Sequence, residues 1–142
     1  MNEQYRLVLF GGLQRPAWRR RLVALAVGLF VLSLGAHVVI APTSEIVLIP
    51  FFALGLGMLV GVGVTMARGD MVSAWLVTLA SLAGYFVYTA AIRDASGGLL
   101  QRLVALVRFD IVFYYGMAAV FFGTIAYLFG VVAAGLYRML VS

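Results

Sequence analysis

The stretch Leu54–Val64 reads LGLGMLVGVGV, with glycine at 55, 57, 61 and 63 and no charged residue before Arg68. Such a run suits a phosphate-cradling loop, a flexible linker, or the packing face of a helix inside a membrane. Its surroundings decide. Hydrophobic residues make up 65% of the 142 and charged residues 11%, against globular norms of roughly 45–50% and 25%. A chain of this size cannot hide that much apolar surface from water, so lipid, partner subunits or both must cover it. The size itself fits one domain.

Four stretches are apolar and free of internal charge over membrane-spanning length: residues 22–41, 46–66, 71–92 and 111–137. A helix rises ~1.5 Å per residue, so about 20 apolar residues cross a ~30 Å hydrocarbon core. Backbone polar groups in lipid must be satisfied within helices or a closed barrel, and no period-two alternation supports a barrel. The expected fold is therefore all-α: a single polytopic membrane domain, residues 1–142, built as a four-helix bundle of transmembrane helices.

The connections agree. Pro16 suits a first helical turn, and Trp18 with Arg19, Arg20 and Arg21 falls at headgroup level, where lipid contacts are expected. Thr43 or Ser44 can cap the second span, with Glu45 in its first turn, and Asp70 can cap the third after Gly69. Pro50 should kink the second span near its start. A cleaved signal peptide is the rival for the first span, but that run is too long for a signal core.

Between the third and fourth spans, GGLLQRLVALVRFD places Leu99, Leu100, Leu103, Val104, Leu106 and Val107 on one helical arc, opposite Gln101, Arg102, Ala105 and Arg108. This predicts a short interfacial helix over residues 98–109, with Arg102 and Arg108 reaching lipid phosphates. With the N-terminus inside, seven arginines (6, 15, 19, 20, 21, 68 and 138) face three (93, 102 and 108). The positive-inside rule then favours cytoplasmic termini. All ten basic residues are Arg and Asn occurs only at Asn2, a pattern of GC-rich coding that suggests a prokaryotic cell membrane or one derived from it. A net charge of +5 would invite nucleic acid in a soluble chain. Here the arginines flank apolar runs, and nucleic acid is not an expected partner.

The glycines can now be read. A dinucleotide fingerprint requires a third glycine three residues after Gly57, where Val60 stands, and a phosphate loop requires Gly-Lys. On this one motif the run resembles the glycine-dense helices of rotary-ring proteolipids, but the membrane carboxylate those proteins need is missing. What remains is helix packing through Gly55, Gly57, Gly61 and Gly63, with Gly116, Gly123 and Gly130 as a second seam in the last span beside Ala119 and Tyr127. On the third span Thr78, Ser81, Tyr85 and Tyr88 share a face with Thr89 beside them. The face can bond across helices, or it can line a polar path for a small solute, quinone or lipid.

Absences narrow the chemistry. With no Cys there is no disulfide, thiolate metal site or cysteine nucleophile. The acids Glu3, Glu45, Asp70, Asp94 and Asp110 all fall at span ends or in loops, whereas coupled transporters and proton relays place such groups mid-membrane. Small multidrug exporters need a first-span carboxylate, thiol-oxidising quinone reductases need cysteines, and glutathione-linked membrane enzymes need a charged motif near the second span. None is present. His37, the lone histidine, is a weak candidate to ligate a haem or pigment metal with a partner's help; no other metal site, catalytic residue or cofactor is expected. The sequence thus predicts a non-enzymatic membrane subunit that scaffolds, anchors or seals a larger assembly, with membrane lipids and other subunits or further copies as partners. A small homo-oligomeric channel lined by the hydroxyl stripe is one alternative, and an electron-transfer subunit using His37 a second.

Overall fold

The computed structural model describes residues 3–11, 14–40, 51–67, 70–89, 98–106 and 108–141. All its regular elements are helices: α1 (Glu3–Phe10), α2 (Pro16–Ile40), α3 (Phe51–Met66), α4 (Met71–Tyr88), α5 (Leu99–Leu106) and α6 (Phe109–Val141). Three of them, α2, α4 and α6, are long and apolar enough to cross a membrane, and α3 is a shorter apolar helix. The APTSE turn, Pro50, Arg68, Gly69, Arg93 and the first four residues of the DASGG break lie outside the described residues, as does the start expected for the second span.

The short α1 has no counterpart in the sequence reading, because its apolar residues Leu7, Val8 and Phe10 follow no long run. α6 begins at Phe109 and ends at Val141, so its 33 residues extend ~50 Å, well beyond a ~30 Å hydrocarbon core. Residue 107 is outside the description and Arg108 is not helical, so α5 and α6 are separate helices. Asp70 caps α4 as the chemistry demands: its backbone is extended, and its Oδ1 accepts from the Ser73 N–H at 2.7 Å. That bond satisfies one of the donors a helix start leaves open.

Pairs of contacts along the helices give their directions. Trp18 meets Ser73 near the starts of α2 and α4, and Ser33 meets Ser81 near their ends, so these two helices run parallel. Ala53 lies against Ser81, whereas Gly61, farther along α3, lies against Ala74; α3 is antiparallel to α4. Tyr115 faces Tyr85 while Gly123 faces Trp75, so α6 is antiparallel to α4 as well. The directions alternate along the chain, and the arginine-rich start of α2 shares an end with the C-terminal turns of α6.

α3, α4 and α6 pack against one another, while α2 lies mainly on α4 with a smaller contact to α3. α4 therefore has three long neighbours. Half of its apolar span is buried, against 22% for the spans of α2 and α6. Leu22 and Leu29 of α2, Val64 of α3 and Val77 of α4 form one apolar cluster; Ala53, Leu82, Tyr85 and Ala119 form another. The outer faces stay apolar and open, with Val23, Val27, Val31, Phe113, Phe121 and Phe129 each at least 58% exposed. Scattered surface hydrophobics are ordinary, but continuous faces of this kind call for a non-aqueous covering.

The alternation yields a direct prediction. In this cysteine-free chain, single cysteines at Gln14 and Arg138 should react with a membrane-impermeant maleimide from the same side, and one at Arg108 from the opposite side.

Candidate functional site: the seam around α4

The residues singled out in the sequence gather around α4, though not all in the roles expected. Gly57 approaches the α4 backbone: a Cβ there would lie 2.9 Å from Thr78 Cα and 3.2 Å from Ser81 Cβ. At Gly61 the added atom would lie 3.1 Å from Ala126 Cβ of α6. A Cβ at Gly123 would come within 2.8 Å of the Trp75 ring, and one at Gly130 within 2.5 Å of Thr65 Cβ. These four positions are interhelical seams, where a missing side chain lets helix backbones close on each other.

Gly55, Gly63 and Gly116 are different. A Cβ at each would meet nothing within 4 Å, so they do not close a seam within this chain. The physical reason is angular. Around α3, at about 100° per residue, Gly55 lies about 160° and Gly63 about 120° from Gly57, and Gly57 and Gly61 already occupy the side facing α4. Gly116 lies instead on the wall of an open apolar hollow of about 350 Å³ between α4 and α6, beside Trp75, Leu79, Phe113 and Val120. Conversely, Gly84 went unnoticed in the sequence: a Cβ there would lie 2.7 Å from the Phe30 carbonyl oxygen and 2.8 Å from Ser33 Cβ. It is what admits α2 to α4. The available signal was Ser81-x-x-Gly84, small residues three apart on the stripe already recognised.

The stripe itself is an internal set of hydrogen bonds. Ser81 Oγ donates to the Ala53 carbonyl of α3 at 2.6 Å, and the Ser81 carbonyl accepts from Ser33 Oγ of α2 at 2.7 Å. One residue thus joins three helices. Thr78 Oγ1 donates within its own helix to the Ala74 carbonyl at 2.8 Å and lies 3.5 Å from the Gly57 carbonyl. Both side chains are fully buried. Toward α6, Trp75 Nε1 donates to Thr124 Oγ1 at 2.8 Å, and that hydroxyl donates to the Val120 carbonyl at 2.7 Å. Among the described residues, no buried side-chain nitrogen or oxygen lacks a partner, as low-dielectric surroundings require.

Tyr85 and Tyr88 continue the stripe toward the far end of α4, where His37 joins them. His37 Nδ1 lies 2.6 Å from the Ser33 carbonyl oxygen. A carbonyl only accepts, so Nδ1 carries the proton in this bond. The imidazole meets the Tyr85 ring edge-on at a centroid distance of 4.9 Å and lies 5.8 Å from Tyr88. Tyr115 of α6 packs on Tyr85 and on Phe86. His37 is buried between α2 and α4, and no group of three or more His, Cys, Asp or Glu side chains suited to a metal occurs among the described residues.

Of the residues expected at the lipid interface, Trp18 is half-buried and its Nε1 donates to Ser73 Oγ at 3.2 Å. It ties α2 to α4, because the indole N–H finds a protein acceptor at that depth. Arg19, Arg20 and Arg21 are exposed beside it. Arg108 is exposed and pairs with Asp110 at 3.3 Å, and Arg102 lies in α5. The apolar residues Leu99, Leu100, Leu103 and Val104 of α5 are exposed. No family model, curated protein or solved structure matches the chain.

The seam can be tested residue by residue. Gly84→Ala and Gly123→Ala should each cost about 1–3 kcal/mol through forced separation of backbones, measured by unfolding in mixed micelles. Gly63→Ala, in open space, should be neutral or stabilising by up to ~1 kcal/mol through helix propensity. Ser81→Ala should cost only ~0.6 kcal/mol, the mean for hydrogen bonds between membrane helices.

Proposed function

We propose that the protein is a non-catalytic integral membrane subunit of four crossings, α2, α3 with the residues before it, α4 and α6, which scaffolds or seals a larger membrane assembly. The observation that carries this reading is the contrast between interior and exterior. Inside, hydroxyls, indoles and imidazole are engaged in bonds or ring contacts between helices. Outside, the faces of α2 and α6 are apolar and bare.

A group that reacts with substrate must be able to leave or share its structural partner. Freeing the Ser81 hydroxyl would break its bond to the Ala53 carbonyl and loosen α3 from α4. The same cost weighs against the channel reading, since lining a water path with Thr78 and Ser81 requires turning out hydroxyls that now satisfy carbonyls. The exposed apolar arc of α5 fits an interfacial helix that lies along the headgroup region. The bare faces of α2 and α6 are of the size and chemistry that other membrane helices or lipid tails cover. Both termini are assigned to the cytoplasmic side, the end that carries Arg15, Arg19, Arg20, Arg21 and Arg138.

The test is extraction in a mild detergent, followed by light scattering and mass spectrometry of everything that co-purifies. A defined oligomer or a stoichiometric membrane partner is the expected result. A chain that remains monomeric and alone at all concentrations contradicts the proposal.

A further inference from the structure

Arg15 and the first two turns of α2 after it concentrate positive charge that no acidic side chain pairs with among the described residues. Arg15, Arg19, Arg20 and Arg21 are all exposed, and the one ion pair among the described residues joins Arg108 to Asp110 at the other end of the molecule. No acidic residue stands in the first turn of α2, where one would also suit the helix dipole. Like charges at this spacing repel, and an external anion relieves the repulsion.

The surroundings restrict which anion fits. An open hollow of about 570 Å³ is lined by Pro16, Arg19, Arg20, Val23 and Ala24. Two of these residues are arginines and the other three are apolar. The apolar lining does not end there: at 100° per residue, Arg20, Ala24, Val27, Gly28, Val31 and Gly35 lie on one face of α2. Their side of the helix is exposed, and at Gly28 and Gly35 an added Cβ would meet nothing within 4 Å. From Arg20 to Gly35 this track runs ~22 Å, enough to follow an acyl chain through one leaflet of a ~30 Å hydrocarbon core. On the opposite flank, Arg15 and Arg21 line a second hollow of about 420 Å³ with Trp18 and Ala67.

The geometry points to a binding site for an anionic phospholipid, its phosphate held between Arg19 and Arg20 and one acyl chain laid along Ala24, Gly28 and Gly35. Guanidiniums pair with phosphate oxygens through two parallel N–H donors. A zwitterionic headgroup would bring its own cation against the same arginines, so the site discriminates by net charge. The absence of side chains at Gly28 and Gly35 lets a chain lie close to the helix, which adds dispersion contact. This inference rests on the membrane reading given above, but it can fail while that reading stands.

Native mass spectrometry of the detergent-solubilised protein, titrated with phosphatidylglycerol, phosphatidylcholine or inorganic phosphate, tests it. Phosphatidylglycerol should bind more tightly than phosphatidylcholine, and inorganic phosphate should not displace it at equal concentration. At ~1 kcal/mol per basic residue near an anionic surface, the double variant R19Q/R20Q should weaken phosphatidylglycerol binding roughly 30-fold. R108Q should leave it unchanged. Ala24→Phe changes no charge but fills the hollow, and should weaken binding as well; it serves alone if the arginine variant loses helical content. Equal affinity for the two lipids, or undiminished binding in A24F, overturns the site and leaves the subunit proposal intact. Displacement by inorganic phosphate overturns the acyl-chain contact and with it the assignment to lipid.

Discussion

Everything in this protein depends on how closely three helices can approach α4. Helices in lipid gain little by hiding apolar surface from one another, because lipid tails are equally apolar. Attraction must come from packing and from hydrogen bonds, and both need short distances. Gly57, Gly84 and Gly123 provide them at three interfaces of α4, each where a single added carbon would strike a neighbour's backbone or ring. At these distances Ser81 can reach the Ala53 carbonyl and Ser33 can reach the Ser81 carbonyl. Small residues and hydroxyls are thus one device: the first permit the approach and the second fix its register.

Bonds from hydroxyls to helical carbonyls leave the helices intact, since each carbonyl has a second lone pair, and they commit the hydroxyl protons of Ser33 and Ser81 to the joints between helices. A helix bonded to its neighbours on several sides in this way is a strut. α4 has that character, with its cap at Asp70 and its aromatic end at Tyr85, Tyr88 and His37. The outer helices have the opposite character. α2 and α6 each give α4 one face and leave a broad apolar surface for whatever surrounds the protein, with charge confined to their ends.

Much of this was legible in the sequence, for physical reasons that differ by element. The long apolar runs specify α2, α4 and α6 because length and lack of charge are sufficient signals. Asp70 was legible as a cap because its chemistry is local. The seam was legible only in part: glycine at helical spacing shows that a helix can be approached but not from which side. Gly55 and Gly63, which flank the face of Gly57 and Gly61, were therefore counted with them in one packing run, and only the packing separates them. Gly84 was missed because the residues it admits, Phe30 and Ser33, stand some fifty residues away in sequence, and Ser81 three residues before it was read only as a hydroxyl. Trp18 shows the same limit, since an interfacial tryptophan and one bonded to Ser73 have identical neighbours in the chain. α1 and the full length of α6 escaped because their ends carry polar or isolated apolar residues without a sharp stop.

The central claim is that α4 is a buried strut and that the bare faces of α2 and α6 meet lipid or other membrane helices. Spin labels placed singly at Ala74, Val27 and Phe129 in reconstituted vesicles, with accessibility to oxygen and to a water-soluble nickel complex measured for each, test it most directly. The account predicts low accessibility to both reagents at Ala74, and at Val27 and Phe129 exclusion of the nickel complex, with high oxygen accessibility wherever no partner helix covers the face. Strong collision with the nickel complex at Val27 and Phe129 would place those faces in water and contradict it.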